Sequence, residues 1–160
     1  MPLFDINRSS NRSGFTLIEL VMALVVIAIL AGIALPSYAN YIARARRADA
    51  RTQLLQVAQF MQTFYAANDS FMQDRAANNV LSQVPSALLQ SPADSLTMYG
   101  LAIPAASLTD SSFEIRMVPV DGGAMSSDKC GAFTLTSAGV RGVLINSVVG
   151  STESRDSCWR

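Results

Sequence analysis

Apolar positions fall along this chain in three patterns, and each predicts a different element. The first is an unbroken block. From Leu20 to Leu35, sixteen consecutive residues carry no charged or strongly polar side chain, and extending back to Phe15 admits only Thr16 and Glu19. A helix of that segment would be about 30 Å long, the hydrocarbon thickness of a bilayer. The second pattern is a stripe. Ala50, Leu54, Val57, Met61 and Phe64 recur at spacings of four, three, four and three, while Gln53, Gln56, Gln59 and Gln62 occupy other faces. That is one apolar face of an amphipathic helix, and its simplest use is to pack on a sheet. Ala39, Ala43, Ala45 and Ala48, with arginines between them, favour helix across the join. One helix is therefore predicted from about Phe15 to about Ala67, roughly 80 Å long, ending near Asn68-Asp69-Ser70.

The third pattern is alternation. Phe113, Ile115 and Met117 alternate with Glu114, Arg116 and Val118 up to Pro119, the period of a half-buried strand. Leu96–Ile103, Ala132–Thr136 and Arg141–Val149 are further strand candidates, separated by turn signals at Asp121-Gly122-Gly123 and Ser137-Ala138-Gly139. Between helix and strands, Phe71–Asp94 reads as a connection broken by Asn78-Asn79, Pro85 and Ser91-Pro92, with room for a short helix over Ser86–Gln90. Short strands with local connections make an antiparallel sheet. The fold class is α+β: a long N-terminal helix whose second half packs on a C-terminal antiparallel sheet head.

Inside the long helix, Gly32 and Pro36 form a weak point. Pro36 has no N–H to give the carbonyl of residue 32, and glycine has low helix propensity. The hydrogen-bond ladder is thinnest there, so a bend is expected over Gly32–Pro36.

Composition narrows the chemistry. The 160 residues allow one modest core, half of them are hydrophobic, and the formal net charge is zero. There is no histidine, hence neither the commonest general base nor the commonest metal ligand. No phosphate-binding glycine loop or nucleophile elbow occurs either, so the sequence gives no reason to expect an enzyme, a cofactor or a metal centre. The two cysteines, Cys130 and Cys158, lie near the C-terminus. In an exported domain an even count implies one disulfide; two separate thiols are the alternative. A bond between them would close a loop that the chain-entropy model values at roughly 3.5 kcal/mol. Arg116, Lys129, Arg141, Arg155 and Arg160 are scattered through the head among Glu114, Asp128, Glu153 and Asp156, so no basic stripe for DNA is visible.

The N-terminus does not follow the order of an ordinary signal peptide. Arg8 and Arg12 supply a positive start, but the small residue Gly14 comes before the apolar stretch instead of after it. Cleavage there would remove the leader and leave the hydrophobic segment on the mature chain. The run Gly14-Phe15-Thr16-Leu17-Ile18-Glu19, opening sixteen apolar residues, resembles a type IV pilin precursor. The resemblance implies that a prepilin peptidase cuts between Gly14 and Phe15 and that Phe15 becomes the N-methylated first residue. It also gives a use to Glu19, a carboxylate costing a few kcal/mol in an apolar helix. In the family, the glutamate at this place pairs with the N-terminal amine of a neighbouring subunit, so that two costly charges compensate inside the filament. Gly32 to Pro36 would be the stretch that can lose helical order when subunits pack. The implied segments are a leader at 1–14, a transmembrane and filament-core helix at 15–36, its amphipathic continuation at 37–67 and the head at 68–160. Arg44, Arg46, Arg47 and Arg51 follow the span, and charge alone would place that side in the cytoplasm. The resemblance implies the opposite: a single-pass protein of the bacterial inner membrane, head outside the cytoplasm, that later joins a surface pilus.

At the other end, Asp128-Lys129-Cys130-Gly131, Phe133-Thr134-Leu135-Thr136, Gly139 and Cys158-Trp159 are similar to minor pilins whose last strands are stapled to the C-terminus by a disulfide. Trp159 would pack over the disulfide or the sheet. The implied protein is a structural subunit, minor rather than major. It would assemble with other pilins, prepilin peptidase and the inner-membrane pilus machinery, in the service of twitching motility, adhesion or DNA uptake. A pseudopilin of a type II secretion system shares the N-terminus. It would use calcium in place of the disulfide, with Asp121, Asp128, Glu153 and Asp156 as candidate oxygen ligands, although no EF-hand spacing is present.

Overall fold

The computed structural model describes residues 14–160; residues 1–13, on which most of the expected leader falls, with Arg8 and Arg12, lie outside the described residues. Two units divide the chain, one ending at Ala39 and the other spanning Asn40–Arg160. The first helix, α1, runs Leu17–Asn68, within two residues of the expected ends.

In the first unit the apolar block is helical and its large side chains, from Leu17 to Leu35, are exposed. No described residue of the unit covers them, and the window is long and apolar enough to cross a membrane. The backbone remains helical through Gly32 and Pro36. Proline removes one ladder bond, and the surrounding residues keep their own.

In the second unit the stripe does what its spacing predicts. Ala50, Leu54, Val57, Met61 and Phe64 are all buried and share one core with the sheet. Gln53 is buried beside them, with its side-chain amide donating to the carbonyl of Ala87, which fastens the connecting segment to the helix. That segment forms two single-turn 3₁₀ helices, Val80–Ser82 and Ser86–Leu88. Asn79 caps the first, its side-chain oxygen accepting the Leu81 N–H at 2.8 Å.

Six strands follow in an antiparallel meander whose spatial order is the chain order: β1 Gln90–Ser91, β2 Tyr99–Ala102, β3 Glu114–Pro119, β4 Ala132–Thr136, β5 Arg141–Ile145 and β6 Val148–Val149. The register pairs Ile115 with Leu135, Met117 with Phe133 and Phe133 with Val143, so one face is apolar throughout its centre. Two expectations are corrected. Arg141–Val149 is two strands, because Asn146 and Ser147 take positive φ (51° and 65°) and turn the chain. The strand expected over Leu96–Ile103 shortens to β2. After β6 comes a helix the hydropathy pattern does not show, α2 at Thr152–Trp159. Ser151 caps it, accepting the Ser154 N–H at 3.2 Å.

Candidate functional site

The N-terminal motif lies outside α1 where cleavage would fall. Gly14, Phe15 and Thr16 precede the first helical residue, and Gly14 and Phe15 are exposed, Phe15 at 85%. Among the described residues a Cβ on Gly14 would meet nothing within 4 Å, so their packing sets no requirement for glycine there. Glu19 is not idle. It forms a capping box with Thr16: the Glu19 N–H donates to Thr16 Oγ1 at 3.3 Å. The Thr16 N–H and hydroxyl in turn reach Glu19 Oε2 at 3.5 Å, the long end of hydrogen bonding. This gives Thr16 a capping role, and the Thr-x-x-Glu spacing is its signal in the sequence.

In the head, Cys130 and Cys158 are joined in a buried disulfide with Cα atoms 5.8 Å apart. The loop it closes contains β4, β5, β6 and most of α2. Two arginines one helical turn apart on α1 hold both ends of that loop. Arg47 donates to both carboxylate oxygens of Asp128, at 3.0 and 3.1 Å from Nε and 2.5 Å from Nη2. The side chains are only 14% and 6% exposed, so this pair is screened little by solvent. Asp128 Oδ1 also accepts the Cys130 N–H at 2.9 Å. Arg51 donates to the Cys158 carbonyl at 3.0 Å and to the Arg160 carbonyl. Partial burial pulls the Arg51 pKa down, and the neighbouring charges of Arg47 and Arg141 pull it further. Two of the four arginines that follow the apolar span, Arg47 and Arg51, are therefore ties within the head.

Two of the four calcium candidates are engaged in the same way. Asp128 is taken up by Arg47, Asp156 pairs with Arg155 at 2.8 Å, and among the described residues no three acidic or thiol side chains gather for a metal. Near the Arg47–Asp128 pair stands Tyr99, fully buried, its hydroxyl without a hydrogen-bond partner among the described residues. Burial pushes its pKa far up, and the Asp128 charge adds to that.

Trp159 packs on the sheet as expected. Its ring meets Phe133 edge-on at 5.8 Å, and Nε1–H donates to the Gly142 carbonyl at 2.9 Å. The guanidinium of Arg141 lies 5.1 Å from the ring centre. The basic residues that look scattered in the sequence are thereby partly gathered: Arg141, Arg155 and Arg160 line one recess beside Trp159, and Arg51 and Arg141 line the adjoining one. Arg116, paired with Glu114 at 2.6 Å, lines a further recess together with Arg141 and Arg155, and Lys129 lies on a different one.

Comparison with known proteins completes the picture. Residues 9–35 match the prokaryotic N-terminal methylation motif, the segment carrying Gly14, Phe15 and Glu19. Residues 36–134, more than half of the chain, match the family described as type IV minor pilin ComP, DNA uptake sequence receptor. The chain belongs to that type IV pilin family. Among curated relatives, this pilin is 56% identical over 41 residues to a fimbrial protein of Moraxella nonliquefaciens, covering 26% of this chain and 27% of the relative. It is 38% identical over 61 residues to the type IV major pilin protein PilA of Myxococcus xanthus, covering 38% of this chain and 27% of the relative. The pilin thus aligns with about a quarter of the length of these relatives. Two solved structures are also similar. The non-core minor pilin PilV of Neisseria meningitidis is 15% identical with a TM-score of 0.45, covering 70% of this chain and 90% of that one. A type IV pilin from Shewanella oneidensis is 28% identical with a TM-score of 0.40, covering 62% and 89%.

Proposed function

We propose that this pilin is a minor subunit of a type IV pilus and that its head serves DNA uptake. The observation carrying the reading is the match of residues 36–134 to a minor-pilin family described as a DNA uptake sequence receptor, directly behind a methylation motif at 9–35. In this account prepilin peptidase cuts after Gly14 and Phe15 is N-methylated. The segment 15–36 anchors the subunit in the inner membrane, head outside the cytoplasm, until the pilus machinery inserts it among other pilins. Segment 37–67 then carries the head, 68–160. Glu19 exchanges its weak intrahelical partners for a neighbour's amine, and Gly32–Pro36 is where the helix can loosen on packing. The pseudopilin alternative has less support, since a disulfide at Cys130–Cys158 occupies the region where a calcium site would be needed.

The test is deletion of the gene in its native host, with complementation. Retained surface filaments together with lost uptake of labelled duplex into a nuclease-protected state is the expected result. Undiminished uptake would overturn the DNA reading, and loss of all filaments would point to a subunit needed for assembly instead.

A further inference from the structure

Four arginines follow the apolar run, and the head occupies two of them: Arg47 is held by Asp128, and Arg51 by the carbonyls of Cys158 and Arg160. Arg44 and Arg46 are left over. Arg44 is exposed and Arg46 half-buried, and among the described residues neither makes an ion pair. Asp49, the nearest carboxylate on α1, pairs with neither of them. The adjoining Arg47–Asp128 pair is neutral in itself, so it offsets neither charge.

Their place along the chain says what can offset them. Leu35 ends the apolar run, and α1 stays helical beyond it. At about 1.5 Å per residue, Tyr41 follows Leu35 by about 9 Å of chain and Arg44 by about 14 Å. Where the apolar run fills the hydrocarbon, the headgroup layer takes up about the next 5–7 Å. The field of anionic lipids reaches about 8 Å beyond that at physiological salt. Helical side chains lean toward the N-terminus, here back along the chain toward the apolar run, and arginine is long enough to carry its charge several ångströms that way. Tyr41 is 61% exposed and lies one turn before Arg44 on the same face. An amphipathic ring of this kind is favoured at headgroup level. Arg44 and Arg46 point about 160° apart around the helix, so each meets a headgroup of its own.

We propose that Arg44 and Arg46 bind the phosphate groups of anionic phospholipids, with Tyr41 in the same layer, an inference that rests on the membrane-anchored stage of the proposed function. A zwitterionic lipid fits less well, because its own ammonium group already offsets its phosphate. The contacts favour the subunit held in the bilayer and are given up when it passes into a filament.

The experiment places the full chain in nanodiscs of equal parts phosphatidylcholine and phosphatidylglycerol, one of the two lipids carrying a diazirine near the glycerol end of an acyl chain. After irradiation, peptide mass spectrometry reads the cross-link yield over residues 36–47 for each labelled lipid. At low salt phosphatidylglycerol should be favoured by about fivefold. The preference should vanish at about 1 M salt, where charges act over only about 3 Å. R44Q/R46Q should lose it, and R44K/R46K should keep it because the contact is made by charge. Unchanged near-UV circular dichroism would establish that both variants are folded. Replacing chloride by inorganic phosphate at equal ionic strength should change nothing; loss of the preference would reveal a free-anion site and overturn the lipid assignment. Equal yields from the two lipids, or a preference that R44Q/R46Q retains, overturn it too and leave the membrane anchor standing. No cross-link from either lipid over residues 15–47 overturns the anchor as well.

Discussion

Removing Arg47 should be among the most damaging single changes to the head. Its guanidinium and the Asp128 carboxylate are 14% and 6% exposed and share three contacts of 2.5 to 3.1 Å. Arg47→Ala leaves a carboxylate buried beside the Tyr99 phenol with only the Cys130 N–H as a donor. Breaking a buried pair from one side typically costs about 3–5 kcal/mol. At about 4 °C per kcal/mol for a domain of this size, the thermal midpoint should fall by roughly 12–20 °C. Asp128→Leu should cost about as much, because it strands the arginine. The double replacement Arg47→Met with Asp128→Leu leaves no unpaired charge and should recover most of the loss. The assay is circular dichroism melting of the four proteins in one detergent. An Arg47→Ala midpoint within about 3 °C of wild type would show that the buried pair does not hold the head, as would a double variant no more stable than the worse single.

Three further outcomes follow from the same geometry. Tyr99→Phe removes a buried hydroxyl without a partner and should be neutral or stabilising by about 1 kcal/mol near pH 7. Its folded pKa is raised, so the stability linked to the neutral phenol is fully present below the ordinary tyrosine value of about 10 and is lost as pH rises above it. Denaturant titrations at about pH 8 and pH 11 should therefore show a steeper loss for wild type than for Tyr99→Phe, and equal losses would exclude this cause. Gly131→Ala should destabilise the head by about 3 kcal/mol. Gly131 has φ +56°, and a Cβ there would meet the Leu144 carbonyl oxygen at 2.1 Å; a melt like that of wild type would contradict this. Glu19→Ala should leave membrane insertion intact, even improved, while lowering recovery in sheared filaments. Normal incorporation would sink the proposed amine–carboxylate pairing.

How much of this was legible depends on how local each signal is. The α1 stripe from Ala50 to Phe64 and the alternation in β3 are periodic over several residues, and both appear as read. The β5–β6 hairpin reads in the sequence as one strand because apolar residues flank the polar pair Asn146-Ser147 on both sides. Asn146, a residue tolerant of positive φ, was the available warning. Helix α2 has no apolar stripe to find. A serine cap, Glu153 in its first turn and the buried Cys158 hold it, and only the cap and Glu153 are local marks. The Arg47–Asp128 pair joins residues 81 apart in sequence, and the group of arginines beside Trp159 draws on α1, β5 and the α2 segment. Neither leaves any periodic trace, so both became visible only once the meander placed these elements together.

Maturation as a pilin and incorporation into filaments underlie everything proposed for this chain. Intact mass without reducing agent, on protein from sheared surface filaments and separately from membranes of the native host, tests both most directly. The expected species begins at Phe15, is one methyl heavier and two hydrogens lighter than the plain chain, and is present in the filament fraction. An uncut chain beginning at Met1, with free thiols and confined to the membranes, would contradict both.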